Sequence, residues 1–120
     1  MKLLLKKIPS TSSGHVVLTG YTVIKHSFWK LYQFLGAYFN EDWMCECEVA
    51  DDVVRSFMND SSVETMSEVK SEIVALLHIR MAEPELREFL LKNMSCSYCY
   101  WHEWESGEVW LNHLVEMLGE

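Results

Sequence analysis

Four cysteines and one histidine are the residues best suited to metal chemistry. Cys96 and Cys99 have the two-residue spacing of a zinc knuckle and His102 follows three residues later, so one loop offers three ligands. Cys45 and Cys47 make a poorer half-site, because they are separated by one residue instead of the two to four that are usual between paired zinc ligands. The alternative is a set of free cytosolic thiols, some of them packed as small apolar side chains. We favour free thiols, and therefore predict no metal and no cofactor.

The sequence contains no pattern typical of a hydrolase or a transferase. It lacks a Gly-x-Ser-x-Gly nucleophile elbow, a phosphate-binding loop and a His-Glu-x-x-His motif. His102 and Glu103 are adjacent, but neighbouring side chains commonly point apart, so the two do not indicate an acid–base pair. We therefore predict that the protein is not an enzyme.

Carboxylates and aromatic residues form a more informative pattern. Glu64, Glu68 and Glu72 recur every four residues, which places them on one helix face although like charges at that spacing repel. A second acidic stretch follows Tyr38 and surrounds Trp43; its charged members are Glu41, Asp42, Glu46, Glu48, Asp51 and Asp52. Such surfaces suit a basic partner, because aromatic rings anchor and carboxylates steer. The alternative is a solvated face beside core aromatic residues.

Net charge is unevenly distributed along the chain. The whole sequence carries −8, but residues 1–30 contain five lysines and no carboxylate, a balance of +5. Residues 31–120 contain five basic and eighteen acidic residues, a balance of −13. This field repels nucleic acid and attracts basic proteins. The aromatic run from Tyr98 to Trp110 contains three glutamates, so we expect it to pack in the core, with one or two rings at the surface, and not to bind nucleic acid.

Length and apolar patterning indicate one soluble domain. At 120 residues the chain is long enough to bury a single core. No apolar run approaches a membrane span, and Lys6 and Lys7 end the first leucine run too early for a secretory signal. We expect a cytoplasmic protein that binds no membrane. Residues 1–26 are expected to form an extended or partly disordered arm, since a strand-like stretch there has no visible partner strand.

From residue 27 onward, apolar residues recur at helical intervals. Residues 27–120 are therefore predicted to form an all-α domain, a compact bundle of about five helices. The first predicted helix ends at Asn40, and the second spans about Val49–Met58. The third spans about Ser61–Arg80, the fourth begins at Pro84, and the fifth spans about Gly107–Leu118. Ser61 and Glu64 have the spacing of a capping box, in which each side chain satisfies a free backbone N–H of the first turn.

The segment Phe34–Trp43, FLGAYFNEDW, combines an aromatic helical run with an abrupt polar stop. It resembles a signature of the immunity proteins of contact-dependent growth inhibition (CDI) systems, the CdiI type. A short acidic helix over Asp51–Phe57 and a C-terminal helix with a Trp-Leu pair resemble the same family less specifically. The resemblance extends from about Phe28 to the C-terminal end, apart from the cysteine-rich loop Cys96–Cys99.

This resemblance implies a bacterial, helical toxin inhibitor. Such a protein binds one toxin domain, often a nuclease with a basic cleft, and occludes the active site in a one-to-one complex without turnover. The residues that we expect to bind the partner are Tyr38, Glu41, Asp42, Trp43, Glu64, Glu68 and Glu72. Two alternatives stay open: a small zinc-binding protein, and a generic helical interaction module such as the antitoxin of another system.

Overall fold

Six α-helices account for most of the chain that the computed structural model describes, residues 27–119. They are α1 (Trp29–Tyr38), α2 (Trp43–Glu46), α3 (Ala50–Asp60), α4 (Val63–Ile79), α5 (Glu83–Glu88) and α6 (Gly107–Leu118). A π-helical turn, Phe89–Asn93, continues α5, and a 3-10 turn, Tyr100–His102, precedes α6. The described range contains no strand, which confirms the all-α prediction, and no helix in it is long and apolar enough to cross a membrane. The arm predicted for residues 1–26 lies outside the described residues.

Local sequence signals locate the ends of several helices. The predicted helix Gly107–Leu118 is α6, with the same bounds. The predicted capping box of Ser61 and Glu64 was wrong: the N-cap of α4 is Ser62, whose hydroxyl accepts the Thr65 N–H at 3.1 Å, and the residue at the Glu position of a box is Thr65. Ser61 instead forms the C-cap of α3. The additional helix relative to the predicted five is α2, a single turn that its surroundings stabilise rather than its length.

The centre of the core lies between α1, α4 and α6. Both α1 and α6 pack along α4. Their inward side chains have essentially no solvent exposure, among them Leu31, Leu35, Ile73, Trp110, Leu111 and Leu114. Lys30, at the start of α1, lies beside Glu68 in α4, whereas Tyr38, at its end, reaches Asp60 just before α4 begins. The helices α1 and α4 therefore run antiparallel, and the link after α1 lies near the turn between α3 and α4.

Aromatic rings pack the link after α1, residues 39–42, against the loop that follows the π-helical turn, residues 94–99. The Ser97 N–H donates to the Phe39 carbonyl at 2.7 Å, and the Phe39 ring stacks on Tyr98 with centroids 5.5 Å apart. Trp110 of α6 completes the cluster. Its ring lies 5.6 Å from Phe39, 5.0 Å from Tyr98 and 5.7 Å from Tyr100, the last pair nearly parallel. Both connections are thus held against the core, so their outward side chains have defined positions.

A carboxylate from α4 caps the start of α1. The residue before α1, Phe28, has no side chain that can accept a hydrogen bond from the first turn. Glu72 supplies the missing acceptor. Its Oε1 accepts the Leu31 N–H at 2.8 Å, and its carboxylate lies at the positive end of the helix dipole. Burial raises the pKa of Glu72, although hydrogen bonds from the α1 backbone act in the opposite direction.

We predict that Glu72→Ala lowers the free energy of unfolding by about 1 kcal/mol, the usual cost of losing a helix cap. Glu72→Gln should cost less, because its amide oxygen can still accept the Leu31 N–H. Urea titrations of both variants measure this, with Glu68→Ala as the exposed control, for which we expect a change within about 0.5 kcal/mol.

The same residue predicts a pH dependence. Because the pKa of Glu72 is raised by folding, the folded protein binds its proton more readily than the unfolded chain does. Protonation of Glu72 therefore contributes stability to the fold at pH values below the ordinary carboxyl range, and this contribution is lost as pH rises through the raised pKa. Relative to Glu72→Gln, the wild type should therefore become more stable as the pH falls from about 7 to about 4. An unchanged difference across that range would contradict the assignment.

Candidate partner-binding surface

The link between α1 and α2 presents its carboxylates to solvent because Asn40 ties the backbone into a tight turn. The Asn40 Nδ2 donates to the Ala37 carbonyl at 2.8 Å, and its Oδ1 accepts the Asp42 N–H at 2.8 Å. Glu41 and Asp42 are exposed, and neither pairs with a lysine, arginine or histidine of residues 27–119. Their charges are therefore free to act on a partner.

The two predicted aromatic contact residues lie half-buried at the two ends of this link. Tyr38 packs edge-on against Phe57 at 5.3 Å, and its hydroxyl donates to Asp60 at 3.0 Å. Burial, followed by the hydrogen bond and charge of Asp60, raises the pKa of Tyr38, so the phenol stays protonated and continues to donate. Trp43 packs edge-on against Tyr98 with centroids 5.5 Å apart. Each residue combines a fixed position with exposed surface, as interface anchors do.

The three predicted carboxylates of α4 have different environments. Glu64 is exposed in the first turn. Glu68 is also exposed, and its Oε1 lies 3.7 Å from the Lys30 Nζ, a solvent-screened pair that contributes little to stability. Glu72 turns toward α1 and caps it. Of these three, Glu64 and Glu68 thus present their carboxylates to solvent, whereas Glu72 has a structural contact.

Tyr98 joins Trp43 to a second half-buried indole, that of Trp104. The Tyr98 hydroxyl donates to the Glu103 carboxylate and accepts the Trp104 Nε1–H at 3.1 Å. Burial and the hydrogen bond to Glu103 raise the pKa of Tyr98 well above its usual range, so the hydroxyl remains a donor at neutral pH. Trp104 and Glu103 were not among the residues predicted to bind a partner.

His113 extends this cluster to α3. Its imidazole lies 4.7 Å from the Trp104 ring, and its Nε2 lies 3.0 Å from the Asp51 Oδ1. Aromatic density between residues 98 and 110 is visible in the sequence, but the Asp51–His113 pair joins positions 62 apart. No local spacing signals such a contact, so sequence reasoning missed it.

The cysteines do not assemble into a metal centre. Within residues 27–119, no three His, Cys, Asp or Glu side chains lie close enough together to hold a metal ion, and all four cysteines are free. Cys96 turns into the core with 2% of its surface exposed, whereas Cys99 and His102 are exposed. Burial raises the pKa of Cys96 to about 12. The zinc interpretation of Cys96, Cys99 and His102 therefore lacks a geometric basis.

Comparisons with known proteins agree on one family. A family model described as CdiI immunity protein matches residues 27–118. Among solved structures, the chain is similar to a chain of the CdiA-CT/CdiI complex from Y. kristensenii 33638, at 31% sequence identity and a TM-score of 0.77. That alignment covers 82% of this chain and 99% of the other. No curated protein matches the sequence.

We predict that cysteine alkylation separates Cys96 from the exposed thiols. Native protein treated with iodoacetamide near neutral pH should be labelled at Cys45 and Cys99 but not at Cys96, because Cys96 is buried and its thiolate is scarce. Peptide mass spectrometry reads the positions, and denatured protein, in which all four sites react, is the control. Zinc added beforehand should not reduce the labelling of Cys99. Reduced labelling would support zinc binding by Cys96, Cys99 and His102.

Proposed function

Because the chain belongs to the CdiI immunity protein family, we propose that it neutralises the toxin domain of a cognate contact-dependent growth inhibition system. It acts by binding the folded toxin and occluding its active site, in a one-to-one complex and without turnover. Its site of action is the cytoplasm of the bacterium that the toxin enters. The toxin domain is a basic nuclease, in keeping with the chemistry that the resemblance implies.

The observation that carries this proposal is the match over residues 27–118, which includes all six of the described α-helices. The similar chain of known structure comes from a complex named CdiA-CT/CdiI, and its identity with this chain is 31% over nearly its full length. Similarity at that level supports a shared kind of partner as well as a shared fold.

Charge supports the nature of the partner. A nuclease cleft is basic so that it can hold phosphates, and a protein with a balance of −13 over residues 31–120 competes with the nucleic acid on the same electrostatic terms. The free carboxylates of Glu41 and Asp42 protrude from a link that the core holds in place. Glu64 and Glu68 add negative charge along α4.

Isothermal titration against the toxin domain encoded immediately upstream of the gene tests the proposal. We expect tight one-to-one binding that weakens as salt rises, because screening reduces the attraction between exposed charges. Tight binding that salt does not change would leave the immunity function but assign the energy to apolar contacts. No binding to a folded, active toxin domain would reject the function and leave a generic helical interaction module.

Reversing the two charges of the link tests the contact residues. The double variant Glu41→Lys/Asp42→Lys should raise Kd at least tenfold, or about 1.4 kcal/mol, with little change in Tm because both side chains are exposed. The control is Glu88→Lys/Glu116→Lys, which changes net charge equally at two exposed helix positions outside the predicted contact set. Because Glu88 lies 3.4 Å from the Lys92 Nζ, the Tm of this control is measured as well. If both variants weaken binding to the same extent, the effect is one of overall charge, and Glu41 and Asp42 are not contact residues.

A further inference from the structure

We propose that Trp43 and Trp104, joined through Tyr98 and flanked by the carboxylates of Asp51 and Glu103, form a surface that receives a lysine or arginine side chain of the toxin domain. This inference rests on the proposed function and specifies where the partner is held. It adds three residues, Asp51, Glu103 and Trp104, to the predicted contact set. The tertiary structure links Glu103 and Trp104 to Trp43 through Tyr98, and it links Asp51 to Trp104 through His113.

The first step is the geometry of the two indoles. Both are half-buried, so each is fixed by the core and still reachable by a partner. Trp43 packs against the ring of Tyr98 at 5.5 Å, and Trp104 donates its Nε1–H to the hydroxyl of that same tyrosine at 3.1 Å. Tyr98 itself is 4% exposed, so both indoles contact a residue that belongs to the core. Rigid tryptophan side chains lose little conformational entropy on binding, which makes them effective anchors.

The second step is the placement of charge. Glu103 accepts the Tyr98 O–H, and Asp51 binds His113, whose ring lies against Trp104. Glu103 thus approaches the aromatic cluster from the loop before α6, and Asp51 approaches it from α3. Both act on the same hydroxyl: burial is the main cause of the raised pKa of Tyr98, and the negative charges of Glu103 and Asp51 contribute to it.

The third step concerns the cations of the described residues. The fold already contains one pairing of an arginine with an indole, in which the Arg87 guanidinium lies 4.3 Å from the Trp101 ring centroid. Within residues 27–119, no lysine or arginine lies over Trp43 or Trp104 or pairs with Glu103. A cation that reaches this surface gains an aromatic face and a carboxylate together, which is a stronger combination than either one alone. A basic side chain of the toxin fits this chemistry, and the charge balance of residues 31–120 favours its approach.

Titrations of the toxin domain with single variants test the surface. Trp43→Leu and Trp104→Leu keep an apolar side chain against the core but remove the indole, and each should raise Kd at least tenfold. Trp29→Leu is the matched control, because Trp29 is exposed on α1 next to Lys30 and outside the cluster, and it should leave Kd unchanged. Glu103→Gln should raise Kd and weaken its salt dependence, whereas Glu88→Gln should do neither.

Hydroxyl-radical footprinting of the wild type covers the case in which a tryptophan variant fails to fold. Oxidation of Trp43 and Trp104 should fall when the toxin domain is bound, and oxidation of Trp29 should not. Unchanged oxidation of both indoles, or unchanged Kd in both folded variants, overturns this inference while wild-type binding leaves the proposed function intact. Absence of wild-type binding instead rejects the proposed function, and this inference with it.

Discussion

The packing of aromatic rings around Trp110 is the constraint on which the rest of the domain depends. Trp110 is fully buried, and its ring meets Phe39 from the link after α1 and Tyr98 and Tyr100 from the loop before α6. Its indole N–H has no hydrogen-bond acceptor within residues 27–119, so the contacts that hold the ring among these residues are aromatic packing contacts. The ring pairs therefore fix both connections, together with the candidate contact residues that these connections carry.

Carboxylates serve two opposite purposes in this chain. Glu72 caps α1, and Glu83 accepts the Tyr100 O–H at 2.6 Å and the N–H of Gly107, the first residue of α6, at 2.9 Å. These groups are part of the fold. Others, such as Glu41 and Asp42, make no ion pair with the described residues and face solvent. Net charge alone therefore overestimates the number of carboxylates that can attract a partner, because some of them accept hydrogen bonds from the N-termini of helices.

This division suits a protein that acts through its surface. An inhibitor that works by occlusion needs a rigid body that presents charge and aromatic anchors in fixed positions, since ordering them during binding costs affinity. The core provides the rigidity, and the candidate contact residues lie on the link between α1 and α2, on the loop before α6 and on exposed or half-buried positions of the helices. Connections can diverge to match different toxins while the packed interior stays the same.

Local patterns in the sequence determined the helical character of the chain and much of its segmentation. The apolar stripe and the terminal glycines placed α6 at Gly107–Leu118, and a serine near residue 61 marked the start of α4 to within one position. The carboxylate spacing put Glu64, Glu68 and Glu72 on one helix, and the aromatic link pointed to the family. These signals span a few residues, and helix propensity, capping and periodicity are interactions of that range.

Tertiary structure alone decided what each of these residues does. It turned Glu72 into the cap of a helix 41 positions away, and it brought Asp51 to His113 across 62 positions. It also connected both Trp43 and Trp104 to Tyr98, a residue assigned from the sequence to core packing. Such contacts follow from how whole helices pack against one another. A spacing rule reports which face of a helix a residue occupies, but not which element lies opposite that face.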